Sequence, residues 1–133
     1  MSENEQDQLA APIFQFEYVT STVGMLKNGG IVVSVLNDSA TAENMQIIVY
    51  YTLFATSRVV MDTGVKVVHP TGVWVNGFTV VDNGEYSVRI RVSSEYLIPN
   101  ALFDKMTGTT SELIVIYKPG DFAVFDQARK RLW

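Results

Sequence analysis

The stretch that decides the fold class is Glu85-Tyr86-Ser87-Val88-Arg89-Ile90-Arg91-Val92. From Tyr86 onward it alternates between apolar and polar residues, which is the period of a β-strand with one buried face. The two arginines lie two residues apart and therefore share the polar face. This face is expected to be the outer one, because an arginine is rarely buried in a core without a partner. We therefore predict a strand over 85–92 that turns one face to a core and the other to water.

Three further stretches, 31–36, 45–54 and 73–81, are apolar on both faces. In 45–54, for example, Ile47 and Val49 share one face, while Ile48 and Tyr50 share the other. A strand that is apolar on both faces is covered on both faces. Because the sequence predicts few helices, we expect the second cover to be a loop or another molecule.

Turn signals separate these stretches at short intervals, as in Asn28-Gly29-Gly30 and Asp82-Asn83-Gly84. Between the turns, runs rich in Val, Ile, Tyr and Thr favour strands. We predict further strands at 13–23, 58–68, 112–118 and 122–125, and short helical segments at 100–106 and 126–133. About eight short strands at this spacing predict an all-β protein, a single β-sandwich or jelly-roll domain.

The chain divides into an N-terminal arm or connector, residues 1–12, and a β-sandwich domain, residues 13–133. After Pro12, the side chains of Phe14, Phe16 and Tyr18 fall on one face of an extended segment that begins at Ile13. Two alternatives are open for this segment. It is either the first strand of its own domain, or an arm that adds a strand to the sheet of a neighbour. We take the following residues as the predicted assembly interface: Ile13, Phe14, Phe16 and Tyr18.

The composition leaves apolar surface to be buried and excludes some partners. Hydrophobic residues make up 47% of the 133 residues and charged residues 18%. No stretch approaches the roughly 18 consecutive apolar residues of a membrane-spanning helix, so we expect no membrane span. The net charge is −4, and no basic face is available for a phosphate backbone. We therefore expect no nucleic-acid partner, and either a dense core or a protein partner.

The chain has no cysteine, so disulfides, thiolate nucleophiles and thiolate metal sites are excluded. Its first eight residues include Glu3, Glu5 and Asp7, which is unlike the basic start and apolar stretch of a signal peptide. This pattern predicts that the protein is made in the cytoplasm without a signal peptide.

Nothing in the sequence predicts an enzyme. His69 is the only histidine, and it precedes Pro70 in a predicted turn rather than joining a triad or a metal cluster. The candidate carboxylates lie beside turn glycines, where Asp caps turns through local hydrogen bonds: Asp62, Asp82, Glu85, Asp104 and Asp121. No phosphate loop, dinucleotide fingerprint or calcium loop occurs. We therefore expect no catalytic residue, no cofactor and no metal ligand.

Exposed aromatic side chains are a second kind of candidate. Sandwich domains that bind carbohydrate stack sugars on aromatic rings, and Trp74 with Tyr96 is the pair that would serve here. The alternative is that these rings pack in the core, as aromatic residues with aliphatic neighbours usually do.

The layout of the chain resembles the jelly-roll subunits of bacterial endospore appendages, which are pilin-like fibre proteins. The resemblance covers a short connector, Met1 to Pro12, and a body of alternating strands such as Gly30-Ile31-Val32-Val33-Ser34-Val35-Leu36-Asn37-Asp38-Ser39. It continues through Phe78-Thr79-Val80-Val81 and Leu113-Ile114-Val115-Ile116-Tyr117. Better-known members carry connector cysteines that cross-link subunits, and this chain has none. The resemblance therefore implies non-covalent joints.

The leading functional expectation is a self-assembling structural subunit of a fibre or surface appendage, with copies of itself as partners. The N-terminal arm would join neighbours by β-strand addition. Two alternatives stay open: a phage virion structural protein of the tail, neck or decoration type, and a carbohydrate-binding sandwich module. The final location would be the spore surface, another extracellular surface or a virion.

Overall fold

Eleven β-strands and one short 3₁₀ turn make up the computed structural model, which describes residues 14–127, 131 and 132. The strands are β1 (Phe16–Val19), β2 (Val23–Met25), β3 (Gly30–Asn37), β4 (Glu43–Leu53), β5 (Thr56–Asp62), β6 (Lys66–Val68), β7 (Val73–Thr79), β8 (Gly84–Val92), β9 (Leu97–Thr107), β10 (Thr110–Tyr117) and β11 (Ala123–Asp126). The 3₁₀ turn spans Pro119–Asp121. The predicted arm, residues 1–12, lies outside the described residues.

The strands form two antiparallel sheets that pack as a sandwich, which confirms the predicted fold class. The larger sheet has the order β11-β1-β8-β4-β5, with β2 beside β8 and β6 beside β4. The smaller sheet has the order β10-β9-β3-β7. Alternation explains the packing, since the inward residues of β3 and β8, such as Val33 and Val88, are fully buried in one shared core.

The prediction of a helical segment at 100–106 is wrong, because β9 runs without interruption from Leu97 to Thr107. Leu97, Ala101 and Phe103 point into the core with strand alternation. Pro99 fits inside this strand because the alternating ladder turns its nitrogen away from β3. On that other side, the pairing with β10 reaches no further than Ala101. No ladder hydrogen bond is therefore lost at Pro99.

The C-terminal end also differs from the prediction of a short helix at 126–133. Asp126 still belongs to β11, and Arg131 forms an isolated antiparallel bridge with Phe125. The chain therefore folds back along β11. Residues 128–130 and 133 lie outside the described residues.

Two of the predicted strands divide where polar residues interrupt them. The predicted strand at 13–23 becomes β1 and β2, with Thr20 between them, and its first residue, Ile13, lies outside the described residues. The predicted strand at 58–68 becomes β5 and β6 around Thr63 and Gly64. In each case a threonine hydroxyl bonds to a neighbouring strand: Val88 N donates to Thr20 Oγ1 at 2.9 Å, and Ile47 N donates to Thr63 Oγ1 at 2.9 Å.

Candidate assembly surfaces

The predicted interface residues lie at the start of the described chain. Ile13 lies outside the described residues, and Phe14 is half-buried just before β1. Phe16 and Tyr18 belong to β1, which pairs with β8 on one side and β11 on the other. Tyr18 is only 7% exposed, and its ring meets Phe122 edge-on at 5.7 Å. The structure thus has β1 as the domain's own strand, which is one of the two alternatives that the sequence left open.

The outer face of the larger sheet is polar and internally paired. Arg91 Nε donates to Glu17 Oε2 at 3.1 Å, and this carboxylate is almost fully buried. The guanidinium of Arg89 lies 4.8 Å from the ring centre of Tyr50. These contacts keep the part of this face around β8 polar, while Val59 on β5 is 50% exposed.

The carboxylate of Asp62, at the end of β5, is part of the same polar network. It accepts hydrogen bonds from Gln46 Nε2 and from the backbone N–H of Gly64, both at 2.8 Å. Both hydrogen bonds lower the pKa of the Asp62 carboxyl, and the bond from Gln46 has the larger effect. They stabilise the charged form.

The outer face of the smaller sheet is different in kind. Residues that pair across its strands share a face, so the register places apolar side chains from all four strands together. We call this surface the apolar face, and its apolar members are Val32, Leu36, Val73, Val75, Ile98, Leu102, Leu113 and Ile116. The uncharged polar residues Ser34 and Asn100 lie among them. Val75 is 60% exposed and Val73 is 58% exposed, although both belong to regular strands. No described residue covers these two side chains, so the second cover predicted for β3 and β7 does not come from the described part of the chain.

One carboxylate, Asp104, stands at the rim of the apolar face. It accepts hydrogen bonds from Gly30 N at 2.7 Å and from Ser111 Oγ at 2.9 Å. Both of its oxygens are therefore engaged locally. The register places no lysine, arginine or glutamate on the face itself.

Six described strands pair on one side only, and five of them are short, bulged or covered: β2 and β6 are three residues long, and the others are β5, β10 and β11. The pairing of β5 with β4 shifts register between Val49 and Tyr50, and the pairing of β10 with β9 shifts between Leu113 and Val115. The free side of β11 carries the bridge to Arg131. Bulges and covering segments are the devices that keep a sheet edge from pairing with another chain.

The sixth edge strand, β7, has none of these devices within the described part of the chain. Its seven residues, Val73-Trp74-Val75-Asn76-Gly77-Phe78-Thr79, pair with β3 without a register shift and include no charged residue and no proline. Asn37 N donates to Gly72 O, and Val80 N donates to Gly29 O. By the alternation of an antiparallel ladder, the N–H and C=O groups of Val73, Val75, Gly77 and Thr79 point away from β3.

The aromatic pair considered for carbohydrate is not brought together as a platform. Trp74 is half-buried and packs against the core from β7. Tyr96 is 55% exposed in the turn that precedes β9. Sequence reasoning missed a more exposed ring, Phe54, which is 95% exposed at the tip of the β4–β5 hairpin with a positive φ of 57°. It borders a shallow cleft that Tyr51, Arg58 and Asp82 also line.

The residues weighed for catalysis lie in or beside turns and make local hydrogen bonds there. His69 is an exposed turn residue whose carbonyl accepts a hydrogen bond from Gly72 N at 2.9 Å. Asp121 accepts one from Lys118 N at 2.9 Å in the 3₁₀ turn. Among the described residues, no group of three or more His, Cys, Asp or Glu side chains could hold a metal ion. No helix in that part of the chain has the length and hydropathy to cross a membrane.

Comparisons with known proteins give a fold and no family. No protein-family model matches the chain, and no curated protein does. The crystal structure of Thermotoga maritima 1070 is similar in fold, with a TM-score of 0.53. The similarity covers 79% of this chain and 92% of that chain at 6% sequence identity. At this level of identity, the two chains share a sandwich architecture and nothing more is implied.

Proposed function

We propose that this protein is a self-assembling structural subunit of a fibre or surface appendage. Neighbouring copies join by β-strand addition, in which the N-terminal arm of one copy pairs with the free edge of β7 in the next. The observation that carries the proposal is that β7 is a regular edge strand without charge, proline or bulge. Such an edge is a ready template for another strand.

The contrast with the other edges supports this assignment. Monomeric sheet proteins usually protect every edge strand, because an unprotected edge can pair with the edge of another copy. Here the other five edges are short, bulged or covered, and among the described residues β7 alone presents outward N–H and C=O groups in an uninterrupted row. Selective protection of this kind fits a molecule that pairs at one edge in a defined way.

The proposed donor is the arm, residues 1–12, rather than the segment 13–18, which contains the predicted assembly interface. Phe16 and Tyr18 are engaged by β8 and β11 within their own domain. A donated strand therefore comes from residues before Phe14. Twelve residues span up to about 40 Å when extended, which exceeds the width of a domain of this size, roughly 30 Å. The arm is thus long enough to reach an adjacent copy.

The proposal is tested at Gly77, in the middle of β7. A Cβ added at this residue would meet no atom within 4 Å, so Gly77→Ala keeps the fold and the outward N–H. Gly77→Pro removes that N–H, which has no partner in β3, and proline is tolerated on a strand edge that faces water. Size-exclusion chromatography with light scattering, together with electron microscopy, compares the two variants with the unchanged full-length protein.

We expect the unchanged protein and Gly77→Ala to form assemblies larger than a dimer, and Gly77→Pro to lose them while its thermal melting stays cooperative. Deletion of residues 1–12 is expected to cause the same loss, because every described strand begins after them. Equal assembly by Gly77→Pro and Gly77→Ala would show that β7 is not the joint. An unchanged protein that stays monomeric and binds oligosaccharide would favour the carbohydrate-binding alternative.

A further inference from the structure

We infer that the apolar face of the smaller sheet binds the same face of a second copy, forming a twofold dimer by sheet-on-sheet packing. This contact is separate from the strand addition at β7. It rests on the proposed function only in that both make copies of this chain the partner. The starting observation is that valine and isoleucine side chains stay exposed on regular strands: Val32 at 39% and Ile116 at 40%, beside Val73 and Val75.

The charge distribution selects this face for contact between copies. The protein carries a net charge of −4, so two copies repel wherever acidic groups meet. The apolar face has a single carboxylate at its rim, and both oxygens of Asp104 already accept hydrogen bonds from within the subunit. Two copies can therefore meet here without burying an unpaired charge, which is the largest cost of association.

The area is adequate for a specific contact. Four strands spaced about 4.8 Å apart and about seven residues long, at about 3.3 Å per residue, cover roughly 450 Å² of flat sheet. Two such faces give roughly 900 Å² of flat area, and the accessible area is larger because side chains stand out from the sheet. This reaches the range of about 1,000 Å² that separates specific interfaces from crystal-type contacts.

The shape of the face points to a second copy as the occupant. Two sheets pack stably when their apolar faces lie parallel, about 10 Å apart, with interdigitating side chains. The partner must therefore offer an uncharged sheet of similar size. The outer face of the larger sheet does not qualify, since it carries the Arg91–Glu17 pair and Arg89. The same face of a second copy does, and a self-complementary patch gives a closed twofold dimer.

The test uses two backgrounds in which strand addition is blocked, the full-length Gly77→Pro protein and the protein lacking residues 1–12. The second is needed because Gly77 pairs with Val32, so the proline ring stands on the apolar face. Val32→Lys places an ammonium group at the centre of the face. Val59→Lys is the matched control, since Val59 lies on β5 in the other sheet and is 50% exposed. Sedimentation velocity over a concentration series gives the dimer dissociation constant of each protein, and circular dichroism checks that each one melts cooperatively.

We expect Gly77→Pro alone to sediment as a dimer. Added Val32→Lys should weaken the dimer by at least about 100-fold, because a buried charge would have to lose its water. Adding Val59→Lys instead should change the dimer dissociation constant by no more than about threefold, because Val59 is an exposed residue outside the contact. The same results are expected in the protein lacking residues 1–12, in which the residues of the apolar face are unchanged.

The outcomes separate the two proposals. A monomer in the background that lacks residues 1–12, or a dimer there that Val32→Lys and Val59→Lys affect equally, overturns the face-to-face contact and leaves strand addition standing. If the unchanged protein is already only a dimer and Val32→Lys alone dissociates it, the face-to-face contact stands and the fibre proposal fails.

Discussion

Replacing Tyr18 with alanine distinguishes a core strand from a donated arm. Tyr18 lies in the middle of the larger sheet and is 7% exposed. Its ring packs edge-on against Phe122 at 5.7 Å. If β1 is the domain's own strand, the exchange leaves a cavity inside the subunit. If residues 13–19 were donated to a neighbour, the same exchange would weaken assembly and leave the subunit intact.

The expected cost of Tyr18→Ala is about 3–5 kcal/mol of unfolding free energy, the range for truncating a large aromatic side chain in a core. This includes the loss of the edge-on aromatic pair, worth about 0.5–1.5 kcal/mol. For a domain of this size, each kcal/mol lowers the melting temperature by about 3–5 °C. We therefore expect a fall of about 10–20 °C.

Urea unfolding at low protein concentration, followed by tryptophan fluorescence and circular dichroism, measures this cost in the full-length chain. Tyr96→Ala is the matched control, because Tyr96 is 55% exposed and an exposed exchange changes stability by about 0.5 kcal/mol or less. A cost below about 1 kcal/mol for Tyr18→Ala would refute the placement of β1 in the core.

Two further predictions concern charged and titrating groups in the same sheet. Arg91→Met should destabilise the fold by about 1–3 kcal/mol in urea unfolding, because it removes a charged donor from the buried carboxylate of Glu17. Arg89→Met should cost less, because the guanidinium of Arg89 lies over the ring of Tyr50 on the outer face of the sheet. Equal costs for the two variants would contradict the role of the buried pair. Burial, and secondarily the charge of Glu95, raises the pKa of the Tyr18 hydroxyl. The folded state therefore holds this proton longer than the unfolded state, and the stability it contributes is present below pH about 10 and is lost as pH rises toward the folded pKa. Melting temperatures between pH 8 and 11 should fall less steeply for Tyr18→Phe than for the unchanged protein, and parallel profiles would contradict this.

The sequence carried most of the information about strands, because alternation is a local property. The stretch 85–92 forms β8 with its valines and Ile90 inward and its arginines outward, as predicted. The missed strand, β9, contains Pro99 and Asn100, which favour turns in isolation. Its place beside β3 is decided by the rest of the sheet, and Pro99 costs nothing there because its nitrogen faces a side that lacks a paired strand.

The candidate surfaces were harder to predict for a different reason. The two apolar faces of 31–36 and 73–81 predicted a second cover, and the outer side chains of β3 and β7 are exposed in the described part of the chain. Which strand is an edge, however, depends on the order of strands in the sheet, and that order joins residues far apart in sequence, such as Gly30 and Asp104. The assignment of Phe16 and Tyr18 also depended on this order, since only the pairing with β8 and β11 distinguishes a core strand from a donated one.

The most direct test of the central claim is the assembly state of the full-length protein beside its Gly77→Pro variant. Light scattering and electron microscopy at micromolar concentration are expected to show extended assemblies for the unchanged protein and none for Gly77→Pro. A stable 14.8 kDa species from the unchanged protein would contradict the claim that this chain is a self-assembling subunit.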